Sequence, residues 1–284
     1  MYYKVMTIVL WLFLPLTIVS MVEAQDFALH TDAHPWPEVD AKKETDKLVS
    51  ALGNKVNLEV FGPDDRDALA NWVKAHIDSG GSTLILTGIT PSSIYPKGNT
   101  EPDGSILEAF LDAGNTIFNT GEYTFYTAEG PEETNETQGL HNIIDVPNAF
   151  VWHVKGDDGW KEEPVVMRPT EDGRKYTPSI KEYGTSYPLH IEDYEGTSWQ
   201  LEIALAENTD EDLRVDPAMI INQETGGRLG VFVQAYVGDV PNPDVSFGDL
   251  ISEFILNYYV PKVLTAVEPD SKLALTWGQI KSNR

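Results

Sequence analysis

Apolar positions follow two different periods through the first 120 residues of the chain. Strand-type runs occupy residues 27–31, 56–61, 82–88 and 115–121, and the run STLILTG is apolar throughout, as in a strand buried on both faces. Apolar side chains at helical spacing occupy the intervening residues 39–52, 62–81 and 106–114. Strands that alternate with helices predict right-handed βαβ units and a parallel sheet.

The second half of the chain is less regular. Residues 129–198 are rich in Gly, Pro, Asp and Glu and predict a loop-rich insertion. Strand patterns return in WQLEIALAEN and in AMIINQETGGRLGVFVQAY, where residues 225–227 form a turn, and a helix is predicted over 247–259. The whole predicts one doubly wound α/β domain over residues 25–264, a flavodoxin-like three-layer sandwich, followed by a tail over 265–284.

The N-terminal 24 residues have the pattern of a secretory signal. Lys4 precedes an apolar run from Val5 to Val19, and a small residue, Ala24, ends a Val-Glu-Ala site. A membrane anchor is the alternative, because about 20 apolar residues span a bilayer. Pro15 within the run and the cleavage site favour removal, so the chain is expected to be secreted or periplasmic, with no membrane span after processing.

Charge and composition exclude several kinds of partner. The net charge of −25 repels nucleic-acid phosphates and anionic lipid, so no nucleic-acid partner is expected. No cysteine is present, so no disulfide supports the fold. Asp32 and His34 are metal-ligand types two residues apart, but the other histidines, including His30, lie in unrelated contexts. Neither a metal nor another cofactor is therefore predicted.

Candidate ligand-binding residues follow the predicted strands. In an open parallel sheet, ligands bind beyond the carboxyl ends of the strands, where the loops converge. Aromatic rings beside acids and amides suit a small polar ligand or a carbohydrate, although the same rings could anchor long loops. The candidates at these positions are Asp32, His34, Trp36, Tyr95, Glu122, Tyr123, Gln234 and Tyr236.

The strand-to-turn sequence IFNTGEY and the late hairpin GGRLGVFVQAY, which leads into a final helix, resemble the class I glutamine amidotransferase-like superfamily, including its ThuA-like and β-galactosidase-trimerisation branches. The resemblance implies an amidotransferase-like three-layer fold, with a cysteine at the turn after a central strand and a histidine after the late strand. This chain has NTGEYTF and FVQAYVGD at those places, with neither residue. Glutaminase activity is therefore excluded, because thiolate and base activate each other.

The function expected from these observations is binding without catalysis, to a small polar ligand, a carbohydrate or a partner protein. Two alternatives stay open. Glu122 could serve as the acid or base of a glycan hydrolase, with Asp32 or Glu101 as the second carboxyl group. The late hairpin and final helix could instead make the chain a structural assembly module.

Overall fold

The structure of the chain is a computed structural model. It describes residues 25–32, 38–96, 104–120, 124–130, 133–135, 138–147, 149, 165–185, 187–210, 212–232 and 245–264. The predicted signal segment and the predicted tail therefore lie outside the described residues.

The first half of the chain alternates strands and helices, as its pattern predicts. Ser105 shows how one helix begins, because its Oγ accepts a hydrogen bond from the backbone N–H of Glu108. The elements are β1 (Asp26–Thr31), α1 (Glu38–Leu52), β2 (Asn57–Phe61), α2 (Arg66–His76), β3 (Thr83–Thr87), α3 (Ile106–Asp112) and β4 (Thr116–Thr120).

The second half contains the predicted insertion together with short strands that its pattern did not predict. The elements are β5 (Thr127–Gly130), β6 (Glu133–Thr134), α4 (Gln138–Ile143), β7 (Val165–Pro169), α5 (Glu171–Tyr176), β8 (Tyr183–Thr185), β9 (Leu189–His190), β10 (Trp199–Ala204), β11 (Ala206–Asn208), β12 (Arg214–Val215), β13 (Ala218–Asn222), β14 (Arg228–Phe232) and α6 (Phe247–Phe254). A π-helix over Ile255–Leu264 continues α6. Five of the short strands form a small antiparallel sheet in the order β8-β7-β11-β12-β9.

The main sheet has seven strands in the order β10-β13-β14-β4-β3-β1-β2. Strands β14, β4, β3, β1 and β2 are parallel, while β13 and β10 add antiparallel at one end. Numbered along the chain, the five parallel strands have the order 2-1-3-4-5, which is the flavodoxin-like order. The predicted doubly wound α/β fold is confirmed, and its winding reverses between β1 and β3.

Each face of the main sheet packs against its own helices. Ala28, Leu84 and Ile117 belong to a cluster with α2 and α3. Phe27 and Phe118 belong to a second cluster with α1 and α6. Since successive strand residues point to opposite faces, the faces of the other residues in β1, β3 and β4 follow from these two sets.

Strand β2 forms the open edge of this sheet. Val56, Leu58 and Val60 alternate with polar neighbours in the sequence, yet Val60 is 46% exposed. An edge strand lies only partly beneath the flanking helices, so its alternation does not guarantee burial. No helix in the described ranges is long and apolar enough to cross a membrane.

Candidate functional site

The carboxyl ends of β1, β3 and β4 lie together at one edge of the sheet. The N–H of Asp32 donates to the carbonyl of Thr87 at 2.9 Å, and the N–H of Gly88 donates to the carbonyl of Thr120 at 3.3 Å. These bonds extend the parallel ladder into the loops. The edge includes the point between β1 and β3 where the winding reverses, which is where ligands bind in this class of fold.

His30 lies next to the end of β1 with its imidazole fully buried. It is two residues after Ala28, so its side chain is on the α2 and α3 face of the sheet. Neither ring nitrogen has a hydrogen-bond partner among the described residues. The pKa of His30 is lowered to about 4, chiefly by burial; the Arg66 charge acts in the same direction, and the charges of Asp32 and Asp65 partly oppose the shift. At neutral pH the ring is therefore uncharged.

Asn119 lies on β4 in the same row across the sheet as His30 on β1. Backbone pairing aligns His30 with Leu86 of β3 and Leu86 with Asn119. Two strand spacings separate the backbones of His30 and Asn119, about 10 Å. The side chain of Asn119 is completely buried, and neither its oxygen nor its nitrogen has a hydrogen-bond partner in the described part of the chain. One sheet face thus carries two buried, unpaired polar side chains in one row.

Thr90 adds a third such side chain. It lies in the loop after β3, the strand between β1 and β4, and its buried hydroxyl finds no hydrogen-bond partner within the described ranges. Other buried threonines at this edge differ, since Thr87 donates to the carbonyl of His30 and Thr120 donates to the carbonyl of Phe232. We refer to His30, Thr90 and Asn119 as the polar trio.

An ion pair joins the neighbouring loops. The carboxylate of Asp32 lies 3.0 Å from a terminal guanidinium nitrogen of Arg66, at the start of α2. The hydroxyl of Ser93, in the loop after β3, donates to the carbonyl of Arg66 at 2.9 Å. The Asp32 and Arg66 side chains retain only 11% and 28% of their accessible surface, so each charge balances the other.

Tightly packed residues cover the α2 and α3 side of this edge. The hydroxyl of Tyr95 donates to the carbonyl of Gly139 at 2.7 Å, and its ring meets Phe125 edge to face. Thr124 and Phe125 have φ angles of 41° and 68°, in the left-handed region that is unfavourable for such side chains. Backbone strain of this kind concentrates at functional sites, where surrounding packing maintains it.

The structure describes two of the eight predicted site residues. Asp32 lies at the predicted edge. Tyr95 also follows β3; its side chain is fully buried, and its ring packs edge to face against Phe125. The other six predictions lie outside the described residues; they are His34, Trp36, Glu122, Tyr123, Gln234 and Tyr236.

The positions that follow each predicted strand do not include His30 and Asn119, because these two residues of the polar trio lie within strands. A sequence pattern that could have identified these two residues is a polar residue two positions after an apolar one, in a strand buried on both faces. His30 follows Ala28 in this way, and Asn119 follows Ile117.

The chemistry of this edge suits hydrogen bonding to a ligand more than proton transfer. A histidine with a pKa of about 4 is a weak base at neutral pH. In the described ranges, no group of three or more acidic or histidine side chains could hold a metal ion. The three side chains of the polar trio each offer both a donor and an acceptor.

Comparisons with known proteins give only distant similarities. No family model matches the chain, and no curated protein matches it. A ThuA-like protein from Bacteroides uniformis is 10% identical, with a TM-score of 0.44 over 87% of this chain and 94% of its own. The glutaminase domain of Trypanosoma brucei CTP synthase, solved with acivicin bound, is 12% identical, with a TM-score of 0.39 over 81% and 92%.

A cytoplasmic protein from Salmonella typhimurium is 10% identical, with a TM-score of 0.38 over 82% of this chain and 96% of its own. The first two similarities are to proteins of the kind that the sequence resembles. With all three TM-scores below 0.5, none of them supports a function for this chain.

Proposed function

We propose that this chain is an exported, non-catalytic α/β domain that binds a small polar ligand at the polar trio. The observation that carries the proposal is the set of five buried side-chain atoms in His30, Thr90 and Asn119 that have no hydrogen-bond partner among the described residues. Export is supported by the signal pattern of residues 1–24.

The energetic cost of the polar trio supports a binding role. A buried polar group without a hydrogen-bond partner costs about 1–3 kcal/mol of stability. Apolar side chains fill the neighbouring strand positions, such as Leu86 between His30 and Asn119, so the fold itself does not require polar groups there. Residues that lower stability without a structural benefit are typical of functional sites.

The composition and the pKa of His30 support a role without catalysis. The chain lacks cysteine, and the pKa of His30 is too low for an efficient base at neutral pH. The Asp32 carboxylate is already engaged in an ion pair with Arg66 at 3.0 Å. These are the features that favour binding over hydrolysis.

The stability of Asn119→Leu tests the proposal. Leucine has a similar volume and removes two unpaired polar atoms, so we expect the free energy of unfolding to rise by about 1–3 kcal/mol in urea titrations. Asn115→Leu is the matched control. The side chain of Asn115 is also fully buried but is hydrogen-bonded at both ends, so this change should be strongly destabilising.

Binding itself is tested on the wild-type chain with selectively ¹⁵N-labelled asparagine. We expect members of a library of small polar compounds to cause saturable shifts of the Asn119 side-chain amide and to leave the Asn115 amide unchanged. A loss of stability in Asn119→Leu equal to that of Asn115→Leu would show that Asn119 serves the fold, and the proposal would be wrong.

A further inference from the structure

We infer that the ligand of the polar trio is an uncharged molecule with at least two hydroxyl or amide groups. This inference rests on the proposed function and adds the chemical class of the ligand. Its basis is the donor and acceptor chemistry of His30, Thr90 and Asn119 together with the paired state of the charges beside them.

The polar trio requires hydrogen-bond partners that both donate and accept. A neutral imidazole has one donor and one acceptor, an amide has two donors and an acceptor, and a hydroxyl has both. Hydroxyl and amide groups on a ligand also donate and accept, so they can pair with both kinds of atom. A carboxylate or phosphate only accepts, so the carbonyl oxygen of Asn119 and the acceptor nitrogen of His30 would stay unpaired.

Electrostatics disfavour an anionic ligand. Arg66 is the cation whose charge lowers the pKa of His30, and its guanidinium already pairs with Asp32 at 3.0 Å. A buried anion would have to share that cation with a carboxylate, inside a chain whose net charge is −25. Burying a charge without a counter-charge is costly, so the site disfavours anions.

Burial also disfavours a cationic ligand. His30, Thr90 and Asn119 are all fully buried, so a positive charge beside them would lose its hydration. The lowered pKa of His30 shows that this desolvation penalty outweighs the attraction of Asp32 and Asp65 for a positive charge. A neutral ligand avoids the penalty.

The number of polar groups follows from the spacing of the side chains. The backbones of His30 and Asn119 are two strands apart, about 10 Å, and their side chains make no hydrogen bond with each other. A ligand with one polar group would pair with one side chain and leave the other unpaired. At least two polar groups are therefore needed.

The test compares neutral and acidic probes of the same skeleton at pH 7. The pairs are glycerol with glycerate and malonamide with malonate, titrated into the full chain with ¹⁵N-labelled histidine and asparagine. We expect both neutral probes to cause saturable shifts at the His30 imidazole and the Asn119 amide, with apparent affinity at least about tenfold above that of the acid. The Asn115 amide is the internal control, and the shifts should disappear in Asn119→Leu.

Two outcomes would overturn the inference. If an acid binds as tightly as its neutral partner, the ligand class is wrong, while binding at the polar trio still stands. If no neutral probe shifts His30 or Asn119 up to its solubility limit, the ligand class is also wrong. The stability comparison of Asn119→Leu with Asn115→Leu then decides separately whether the proposed function survives.

Discussion

Asn115 and Asn119 show how the same residue type takes opposite roles four positions apart. The oxygen of Asn115 accepts from the N–H of Gly81 at 2.9 Å, and its nitrogen donates to the carbonyls of Ile77 and Phe110, each at 2.9 Å. These bonds tie the ends of α2 and α3 to the start of β4. Asn119 is equally buried but makes no such bond among the described residues. The first amide stabilises the fold, and the second lowers its stability.

At the residue scale, His30 should make stability depend on pH. Its pKa is about 4 in the folded chain and near 6.5 when unfolded. As pH falls from 6.5 to 4, only the unfolded chain takes up this proton, so the free energy of unfolding should fall by up to about 3 kcal/mol. His30→Leu should lack this component.

Urea unfolding of both proteins between pH 4 and 7 isolates the effect, because the carboxylates they share contribute similarly to each curve. The difference between the two curves should widen as the solution becomes more acidic. Parallel curves would show that His30 titrates normally and that the imidazole is not held neutral by burial.

At the element scale, α1 and α6 meet at a point where only glycine fits. The N–H of Gly248 donates to the carboxylate of Glu44 at 2.9 Å. Ser246, which caps α6, donates to the same carboxylate at 2.5 Å, and Lys47 bonds to Ser246. This group of polar contacts fixes the helices that cover the second face of the sheet.

Gly248→Ala should therefore separate these helices. A Cβ at this position would lie 2.5 Å from the carbonyl oxygen of Glu44, so we expect a loss of about 1–3 kcal/mol of unfolding free energy. Gly62→Ala is the control, because its Cβ would have no atom nearer than 3.5 Å and its φ angle of −90° suits alanine. Equal stability of the two variants in thermal unfolding would contradict the close contact between α1 and α6.

At the scale of the whole molecule, the sheet should lose its protection against hydrogen exchange from one edge. Strands β3 and β4 are central in the sheet and buried at every position, whereas β2 is an edge strand with partly exposed residues. We expect amides of β3 and β4 to exchange only on global unfolding, and those of β2 to exchange through local opening with a lower free energy. Residue-resolved exchange in low denaturant would measure this, and uniform protection across β2, β3 and β4 would contradict it.

The order of βαβ units was predictable because the signal for it is local. The apolar pattern that identifies each of β1, β2, β3 and β4 is contained in five or six consecutive residues. The right-handedness of βαβ crossovers then reduces the number of possible strand arrangements. The small antiparallel sheet was not predictable in the same way. Its strands have two to five residues, and β7 pairs with β11 about 40 residues further along the chain. Such short strands have too few positions to show a period.

The sequence by itself determined the α/β class, the positions of β1 to β4, the exclusion of thiol chemistry and the edge at which Asp32 lies. Tertiary structure decided which buried polar groups are paired. In the sequence, His30, Asn115 and Asn119 are alike as polar residues in or beside apolar strands. The tertiary structure brings the ends of α2 and α3 and the residues before β3 to Asn115 as hydrogen-bond partners. It brings none to His30 or Asn119 among the described residues. Hydrogen bonding depends on atoms distant in sequence, whereas periodicity depends on neighbours, and this difference separates what could be predicted from what could not.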